Sequence, residues 1–223
     1  MNGQENPELE MSLACLRENY TRGELDESSV DPNPIAQFER WFREAQESGL
    51  KEPNAMTLAT STADGRPSAR IVLLKHLSAD GFVFYTNYES RKGRELAENP
   101  QVALVFYWAE LERQIRVEGG ARTISRKESE EYFDSRPKGS RLGALVSRQS
   151  AAVPGRKLLE DELRSLEIQF RDTDDVPCPE FWGGYSVTPA SIEFWQGRPN
   201  RLHDRIRYFR GNGPEWRLER LSP

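Results

Sequence analysis

The chain has 223 residues, and its hydrophobic share of 36% with 10% aromatic residues is enough to close a hydrophobic core. Its formal net charge of −5 argues against sequence-independent binding to nucleic acid, and no run approaches the roughly 18 consecutive apolar residues that a membrane span needs. Met1 to Glu10 carries acidic residues where a signal peptide would have a basic end and an apolar stretch, so we expect a cytoplasmic protein.

The first part of the chain divides into an arm and a helix. Residues 1–33 are rich in Asn, Glu, Ser and Pro and contain few large apolar side chains, which predicts a mobile N-terminal arm with a short helix around Leu13 to Tyr20. From Ile35 to Gly49 the apolar residues recur at helical spacing, and Pro34 stands near the first turn. This pattern predicts an amphipathic helix.

Five β-strands are predicted next, because Val, Ile, Leu, Thr and aromatic residues replace the helical pattern. They cover Ala55 to Thr62, Ser68 to Leu77, Gly81 to Asn87, Gln101 to Trp108 and Arg113 to Ile124. Asp64-Gly65 and Asp80-Gly81 are turn signals between the first three strands, and such short connections make antiparallel neighbours. Among these strands only Ser90 to Glu98 offers a helical link.

Helices and further strands complete the predicted fold. The helices are predicted near Ser125 to Phe133, Ser140 to Val146 and Arg156 to Phe170. The strands are predicted at Tyr185 to Thr188, Ser191 to Gln196, Arg205 to Arg210 and Trp216 to Leu221. Strands in this number with inserted helices indicate a mainly-β protein with a barrel-like antiparallel sheet. No internal repeat or dividing linker is found, so residues 34–223 are predicted to form a single domain.

Basic residues cluster locally in this acidic chain, which indicates a small anionic ligand. Arg70 to Lys75 is an apolar strand with a cation at each end, and the alternation of side chains places these two cations on opposite faces. An edge strand protected by charge is the alternative. Ser90 can cap a helix whose free N–H groups, beside Arg91 and Lys92, would bind a phosphate, although a solvated basic turn fits as well.

Two further groups point to a ligand with a ring and a phosphate. Tyr132, Arg136 and Ser140 could bind a second phosphate through a guanidinium fork and two hydroxyls, or be a charged helix end. The segment from Trp195 to Arg205 places an aromatic plate, several cations and His203 within eleven residues at the end of a strand. A solvated hairpin is the alternative reading of that segment.

Other chemistry finds little support in the sequence. Gln114 could read the edge of a heteroaromatic ring with its amide, or be a surface strand residue. Cys15 and Cys178 have neither metal-ligand nor disulfide spacing, so reduced thiols and no metal site are expected. The sequence has no dinucleotide fingerprint, no P-loop and no hydrolase-type grouping around its histidines. A borrowed organic cofactor that performs the redox chemistry fits best.

Read together, a series of motifs from about Asn33 to Pro223 resembles the pyridoxine (pyridoxamine) 5′-phosphate oxidase family. The motifs are RIVLLK at 70–75, FYTNYESRK at 84–92, ERQIRVEG at 112–119, SRP at 135–137, SRQS at 147–150, FWGGY at 181–185 and FWQG with RLHDR at 194–205. The resemblance implies an FMN-binding split β-barrel, antiparallel and Greek-key-like. It also implies a homodimer with active sites at the subunit interface.

The resemblance also implies roles for individual residues. The cofactor FMN would be bound by Arg70, Ile71, Val72, Leu73, Leu74, Lys75, Tyr85, Thr86, Arg91, Lys92, Gln114, Gln149, Ser150, Trp195 and Arg205. The substrate would be bound by Arg17, Tyr20, Lys75, Tyr132, Arg136, Ser140, Arg201, Leu202 and His203, of which Arg201 and His203 would serve catalysis. Pyridoxine 5′-phosphate or pyridoxamine 5′-phosphate would pass a hydride from C4′ to flavin N5, giving pyridoxal 5′-phosphate. Oxygen would reoxidise the flavin and give hydrogen peroxide.

The N-terminal arm departs from the family pattern. The family has Arg-Arg-Glu-Tyr where this chain has Arg17-Glu18-Asn19-Tyr20, so Arg17 and Tyr20 match and the two residues between them do not. Two alternative functions stay open from the sequence. One is a related split-barrel flavin oxidase acting on another ring, as in phenazine biosynthesis, and the other is a carrier of FMN or pyridoxal 5′-phosphate without turnover.

Overall fold

The computed structural model describes residues 15–16, 18–211 and 213–223. In this part of the chain the α-helices are α1 Pro34–Glu47, α2 Arg91–Glu98, α3 Arg126–Asp134, α4 Lys138–Val146 and α5 Arg156–Gln169. The strands are β1 Ala55–Ser61, β2 Pro67–Leu73, β3 His76–Ser78, β4 Gly81–Asn87, β5 Gln101–Trp108, β6 Arg113–Thr123, β7 Trp182–Gln196, β8 Asp204–Arg210 and β9 Trp216–Arg220. Short 3-10 helices cover Ala109–Leu111 and Pro199–Arg201.

All nine described strands belong to one antiparallel sheet. Its order is β2-β1-β5-β6-β7-β4-β3, and β8 and β9 continue from β7. The long strand β7 pairs with β6 along one edge, while its other edge pairs first with β4 and then with β8. The sheet therefore splits at β7 into two parts.

The chain between β2 and β3 brings the two ends of the sheet together. The Leu74 N–H donates to the Asn54 carbonyl over 2.8 Å, beside β1, and the Lys75 N–H donates to the Val83 carbonyl in β4, also over 2.8 Å. One predicted strand, Ser68 to Leu77, is therefore two strands that pair with opposite ends of the sheet. The sheet curls as a result, and residues 70–75 line the place where its ends meet.

The core fills the inside of this curled sheet. Inward residues alternate with outward ones along β1 and β5, and the large fully buried side chains include Phe82, Phe106 and Phe194. Helix α1 begins at its cap Asn33, whose side chain accepts the Ile35 N–H, and it places Phe38 edge-on to Phe82 at 5.0 Å between ring centroids. The burial of these large rings is the main stabilising contribution.

Four outward residues lie in one row across the strands β5 to β8. Tyr107 pairs with Gln114, Gln114 with Trp195, and Trp195 with Arg205. Residues directly opposite in antiparallel strands project from the same face. Residues that the sequence placed far apart are thus neighbours on the outside of the sheet.

The mainly-β antiparallel fold predicted from the sequence is confirmed, with three local differences besides the division of Ser68 to Leu77. The predicted strands Tyr185 to Thr188 and Ser191 to Gln196 are one strand, β7, because the irregular register between Glu118 and Gly119 of β6 lets β7 continue through Pro189. Helix α4 begins at Lys138, not at Ser140. Of the short helix predicted around Leu13 to Tyr20, residues 18–20 are irregular, and Leu13 lies outside the described residues.

The described part of the N-terminal arm contacts the sheet. Leu25 is buried and its N–H donates to Asp204 over 3.0 Å, while the Tyr208 hydroxyl donates to the Asp31 carbonyl over 2.6 Å. The mobility of the arm stays a prediction. Across the described ranges, no helix has both the length and the apolar surface to cross a membrane.

Candidate functional site

The residues at the closing point of the sheet line a cavity of about 400 Å³. Those of its lining residues that the sequence had indicated are Arg70, Ile71, Val72, Leu73, Lys75, Tyr85, Thr86, Lys92, Tyr132, Arg136, Ser140 and Gln149. These residues are called the first cluster below. The cavity has four cations and no carboxylate among the described residues that line it, so it favours an anionic ligand.

Lys92 stands at one end of this cavity, in the first turn of α2. The Ser90 hydroxyl caps that helix by accepting the Gly93 N–H over 3.2 Å. The Lys92 ammonium donates to Gln149 Oε1 over 2.7 Å and to Thr86 Oγ1 over 3.2 Å. Burial, and then the nearby Arg70, lower the pKa of Lys92 to about 8. A bound anion would reverse this shift, because it would stabilise the ammonium form.

Arg70 lies behind Lys92 and is held by the barrel. Its guanidinium donates to the Leu58 carbonyl over 3.1 Å, to the hydroxyls of Thr60 and Ser68 over 2.5 Å each, and to the Glu95 carboxylate over 3.3 Å. Four of the five N–H donors of a guanidinium are thereby used. Arg70 therefore supplies a fixed positive charge more than a free guanidinium fork.

The other end of the cavity is a stack of aromatic rings beside a cation. Tyr85 stacks on Tyr132 at 3.9 Å between centroids and on Trp182 at 5.3 Å. Burial, and then the neighbouring Tyr132, raise the pKa of Tyr85 to about 12, so its hydroxyl stays a donor at neutral pH. Arg136 lies over the Trp182 ring at 4.9 Å.

Arg136 gives the clearest indication that the cavity is suited to an anion. Its Nη1 atom is buried and makes no hydrogen bond, and burial lowers the pKa of its guanidinium. A buried, unsatisfied charged donor is costly. A phosphate between Arg136 and Lys75 would satisfy it, as the sequence predicted for these residues.

A second cavity, of about 700 Å³, lies at the loop between β7 and β8. Its lining residues are Leu16, Glu18, Asn19, Tyr20, Trp195, Arg198, Asn200, Arg201 and His203. They are called the second cluster, and no residue belongs to both clusters. The Tyr20 ring meets Trp195 edge-on at 5.7 Å and His203 at 5.6 Å between centroids.

The imidazole of His203 has a defined hydrogen-bonding state. The Arg198 backbone N–H donates to His203 Nδ1 over 3.1 Å, so in the neutral ring the proton is on Nε2. Burial, and then the adjacent Arg201, lower the pKa of His203, whereas Asp204 opposes them. His203 is therefore neutral at pH 7 and presents an Nε2–H donor.

The loop that carries these residues has an unusual backbone. Asn200 and Arg201 have φ values of 57° and 62°, and Ser150 and Glu112 have φ values of 72° and 53°. Left-handed backbone is uncommon for residues other than glycine and is concentrated at functional sites. At Arg201 and Ser150 the left-handed backbone sets the directions in which their side chains project.

The remaining predicted residues lie beside the two clusters. Arg205 donates to both oxygens of the buried Glu193, over 2.8 and 3.1 Å, and shares the outer row with Gln114 and Trp195. The Ser150 hydroxyl accepts the Arg91 backbone N–H over 3.2 Å. The other members are placed as follows: Leu202 is 70% exposed at the loop, Leu74 is buried in the core with its N–H bonded to Asn54, and Arg17 lies outside the described residues.

Two family models match the chain. Residues 42–170 match the model described as pyridoxamine 5′-phosphate oxidase, and residues 182–223 match the pyridoxine 5′-phosphate oxidase C-terminal dimerisation region. The pyridoxine/pyridoxamine 5′-phosphate oxidase of Cyanothece sp. is 57% identical over 215 residues, covering 96% of this chain and 100% of that protein. The one of Rubrobacter xylanophilus is 60% identical over 211 residues, covering 95% of this chain and 96% of that protein. The chain belongs to the pyridoxine/pyridoxamine 5′-phosphate oxidase family.

Solved structures agree with this family membership. PhzG from Burkholderia lata 383, in complex with tetrahydrophenazine-1-carboxylic acid, has a TM-score of 0.83 at 31% identity, covering 89% of this chain and 98% of that chain. A pyridoxamine 5′-phosphate oxidase-related, FMN binding protein from Nostoc punctiforme has a TM-score of 0.69 at 17% identity, covering 87% and 100%. The second likeness shows the fold alone. The split barrel and the oxidoreductase class predicted from the motifs are confirmed.

The first cluster fits the phosphate-bearing flavin that this oxidase family implies. The unsatisfied Arg136 Nη1, the lowered pKa of Lys92 and the absence of lining carboxylates among the described residues all indicate places for anions. No group of three or more His, Cys, Asp or Glu side chains in the described ranges could hold a metal ion.

Sequence reasoning missed three acidic residues that support the site. Glu95 holds Arg70 and Arg91, Glu193 holds Arg205, and Glu112 accepts the N–H groups of Thr21 and Arg22 in the arm. Only the spacing of four between Arg91 and Glu95 on a helix could have indicated one of these contacts beforehand. The other contacts join residues distant in sequence.

Proposed function

We propose that this protein oxidises pyridoxine 5′-phosphate and pyridoxamine 5′-phosphate to pyridoxal 5′-phosphate with FMN as its cofactor. The observation that carries the proposal is one cavity lined by four cations, Arg70, Lys75, Lys92 and Arg136. Arg70 and Lys92 would take the phosphate of the cofactor, and Lys75 and Arg136 the phosphate of the substrate. The 57–60% identity to oxidases of this name supports the same substrates.

FMN would be bound mainly by the end of the cavity at α2. Lys92, Arg91 and Ser150 stand at the helix N-terminus, where backbone N–H groups and cations favour a phosphate. Thr86 and Gln149 already accept hydrogen bonds from Lys92 and orient its ammonium. When bound, FMN supplies the chemistry of the reaction, since it accepts a hydride from the substrate and is reoxidised by O2 to give H2O2.

The chain's own residues would bind and orient the substrate. Lys75, Arg136, Tyr132 and Ser140 would bind its phosphate, since Arg136 has a free buried donor and Tyr132 forms the aromatic wall. His203 would donate from Nε2 to the pyridine ring substituents, because its Nδ1 is occupied by the Arg198 N–H. Held in this way, the substrate has its reacting carbon positioned before any bond changes.

We also propose a homodimer in which each active site combines the first cluster of one subunit with the second cluster of its partner. The C-terminal dimerisation region at residues 182–223 contains all of the second cluster except its arm residues. The outer face of β1, β2 and β5 carries small or apolar residues, and Ile71 and Tyr107 are 64% and 59% exposed there. A second copy on this face would cover them and would bring the two clusters together.

An anaerobic absorbance titration tests the function. The protein, reconstituted with FMN, is titrated with pyridoxine 5′-phosphate without oxygen, and air is then admitted. Loss of the oxidised flavin band, its recovery in air, and formation of peroxide and aldehyde are expected. Failure of the protein to bind FMN would overturn the proposal.

The same titration separates the alternative functions. A flavin band that stays unchanged with either B6 phosphate but disappears with a dihydro- or tetrahydrophenazine carboxylate would indicate an oxidase acting on the other ring. A band unchanged by every substrate would indicate a carrier. Location in the cytoplasm stays a prediction.

A further inference from the structure

Glu95 is a buried carboxylate that faces the cations of the first cluster, not the solvent. Its residue is 4% exposed, on the inner side of α2. One carboxylate oxygen accepts from the Thr60 and Ser68 hydroxyls over 2.5 and 2.6 Å and from Arg70 over 3.3 Å. The other oxygen accepts from Arg91 Nε over 2.8 Å. Each of the two arginines that flank Lys92 is thus bonded to this one side chain.

The charge of Glu95 is secure at any physiological pH. Burial alone would raise the pKa of its carboxyl, but the hydrogen bonds from Ser68, Thr60 and Arg91 outweigh burial and lower the pKa to about 2. Together with Arg70, Arg91 and Lys92 it leaves a formal net charge of +2 at this end of the cavity. A phosphate monoester carries about −1.5 to −2 at neutral pH, so the two charges match.

A carboxylate beside an anion site is unfavourable if charge alone is considered. The hydrogen bonds of Glu95 offer a compensating advantage. Long arginine side chains lose much rotamer freedom when they are held in one place, and here that loss occurs before the ligand binds. Glu95 binds both guanidinium groups before a ligand arrives, and it also binds Thr60 and Ser68, the two hydroxyls that hold Arg70. Binding then costs less conformational entropy.

We infer that Glu95 is a positioning residue for the cofactor phosphate, acting by holding Arg70 and Arg91 beside Lys92. The inference rests on the proposed binding of FMN and identifies what prepares that site. Glu95 itself does not line the cavity. Because it would act through the arginines beside the phosphate, Glu95 should affect the affinity for FMN and not the affinity for a flavin that lacks the phosphate.

The test compares Glu95→Gln with the wild type in apoprotein titrations followed by quenching of flavin fluorescence. Glu98→Gln is the matched control, because it makes the same change on the exposed end of the same helix. We expect FMN affinity to fall about tenfold in Glu95→Gln, because arginine side chains that Glu95 holds in the free protein must then be immobilised when FMN binds. Riboflavin, which lacks the phosphate, is expected to bind both variants and the wild type equally.

A pH series provides a readout that a purely structural role would not change. The groups that face Lys92 are Arg70 from β2, Glu95 from α2, Thr86 from β4 and Gln149 after α4. Since the pKa of Lys92 in the free protein is about 8, FMN affinity should decline above that pH, where binding must first protonate the amine. Loss of the Glu95 charge should move this decline to lower pH, while riboflavin affinity stays level.

The outcomes are distinct. FMN affinity that is unchanged or tighter in Glu95→Gln would show that Glu95 acts only as a nearby negative charge, and the inference would be wrong. A wild type that binds FMN no better than riboflavin would instead contradict the proposed phosphate site. If Glu95→Gln does not fold, Ser68→Ala serves as the second variant, because it removes the hydroxyl that joins Arg70 to Glu95. It should weaken FMN binding about threefold, less than Glu95→Gln because the carboxylate still binds Arg91, with riboflavin unaffected.

Discussion

His203 shows how one backbone contact decides what a side chain can do. The Arg198 N–H occupies Nδ1, so protonation of that nitrogen would place two donors against each other. Arg201, the next cation along the loop, opposes a positive imidazole as well. The group is therefore built to donate from Nε2 in its neutral form. Because Nε2 already carries the proton of the neutral ring, that nitrogen does not act as a general base.

This state predicts a pH dependence of activity. The pKa of His203 lies below its ordinary value of 6.5, so at and above neutral pH Nδ1 accepts the Arg198 N–H and orients the ring. As the pH falls through the lowered pKa, protonation of Nδ1 breaks that hydrogen bond and disturbs the ring orientation, although Nε2 keeps its proton. We expect kcat/KM to have an acid limb that His203→Gln removes, since the Gln amide keeps a donor but does not titrate. A limb that stays unchanged in the variant would belong to the substrate phosphate, and the assignment to His203 would be wrong.

Removal of the Nε2 donor should lower kcat/KM far more than protonation of the His203 ring does. His203→Ala is expected to lower kcat/KM about 100-fold, the usual effect of removing one aligned donor in an active site. The protein should stay yellow and bind FMN as the wild type does, because His203 is outside the first cluster. Colourless protein would contradict this division between substrate and cofactor residues.

Arg136 provides the corresponding prediction for the substrate phosphate. Arg136→Ala removes a buried donor that has no partner in the free protein, so KM for pyridoxine 5′-phosphate should rise about 10- to 100-fold, as for a charged hydrogen bond. FMN affinity should not change. Lys127→Ala, an exposed cation on α3, is the control. If FMN affinity fell as much as substrate affinity in Arg136→Ala, Arg136 would bind the cofactor phosphate, and its assignment to the substrate would be wrong.

At the scale of elements, hydrogen bonds hold the N-terminal arm on the sheet from Thr21 onward. Glu112 Oε2 accepts the backbone N–H groups of Thr21 and Arg22 over 2.8 and 2.9 Å, and Asp204 accepts that of Leu25. A Cβ at Gly197 would stand 2.7 Å from the Tyr20 ring, so glycine allows this close approach. The described arm is thus anchored to the sheet by hydrogen bonds from residue 21 onward and by ring contacts at Tyr20.

Removal of the anchor should free Tyr20 from Trp195 and His203. In Glu112→Ala we expect faster amide hydrogen exchange over residues 20–25 and a KM for substrate about 3- to 10-fold higher, since each lost hydrogen bond contributes about 0.5–1.5 kcal/mol. FMN affinity should be unaffected. Glu112→Gln keeps an acceptor oxygen and should retain most of the wild-type behaviour, and Glu118→Ala on the following strand β6 should have no effect. Exchange that is unchanged in Glu112→Ala would contradict the anchor.

The elements themselves were largely predictable, whereas their contacts were not. Alternation of side chains and turn signals predicted β1, β4, β5 and β6 within about two residues, the usual precision for strand ends. The division of Ser68 to Leu77 into β2 and β3 depends on pairing with both ends of the sheet, and no local pattern encodes it. Glu112 and Glu193 were missed for the same reason, because their partners are distant in sequence. The family motifs indicated candidate site residues without showing which of them share a subunit.

At the scale of the whole molecule, the proposed site is divided between two subunits. The first cluster has four cations and an aromatic wall, and the second has His203, Arg201 and Trp195 around a separate cavity. Their lining residues do not overlap. If the proposed dimer is right, a single subunit would hold a substrate by its phosphate without its donor from His203, and catalysis would require the dimer.

Complementation between inactive variants tests this arrangement. Arg136→Ala is changed in the first cluster and Arg201→Ala in the second, so at substrate concentrations well below the wild-type KM each homodimer should have little activity. After subunit exchange in an equimolar mixture, half of the dimers are mixed and each contains one site with both halves native, so activity should recover to about a quarter of the wild type. A mixture of Arg136→Ala with Lys75→Ala, both changed in the first cluster, should recover nothing, because every site in it lacks one phosphate ligand. Absence of recovery in the first mixture, with exchange confirmed by a size-tagged subunit, would place both clusters of a site in the same chain.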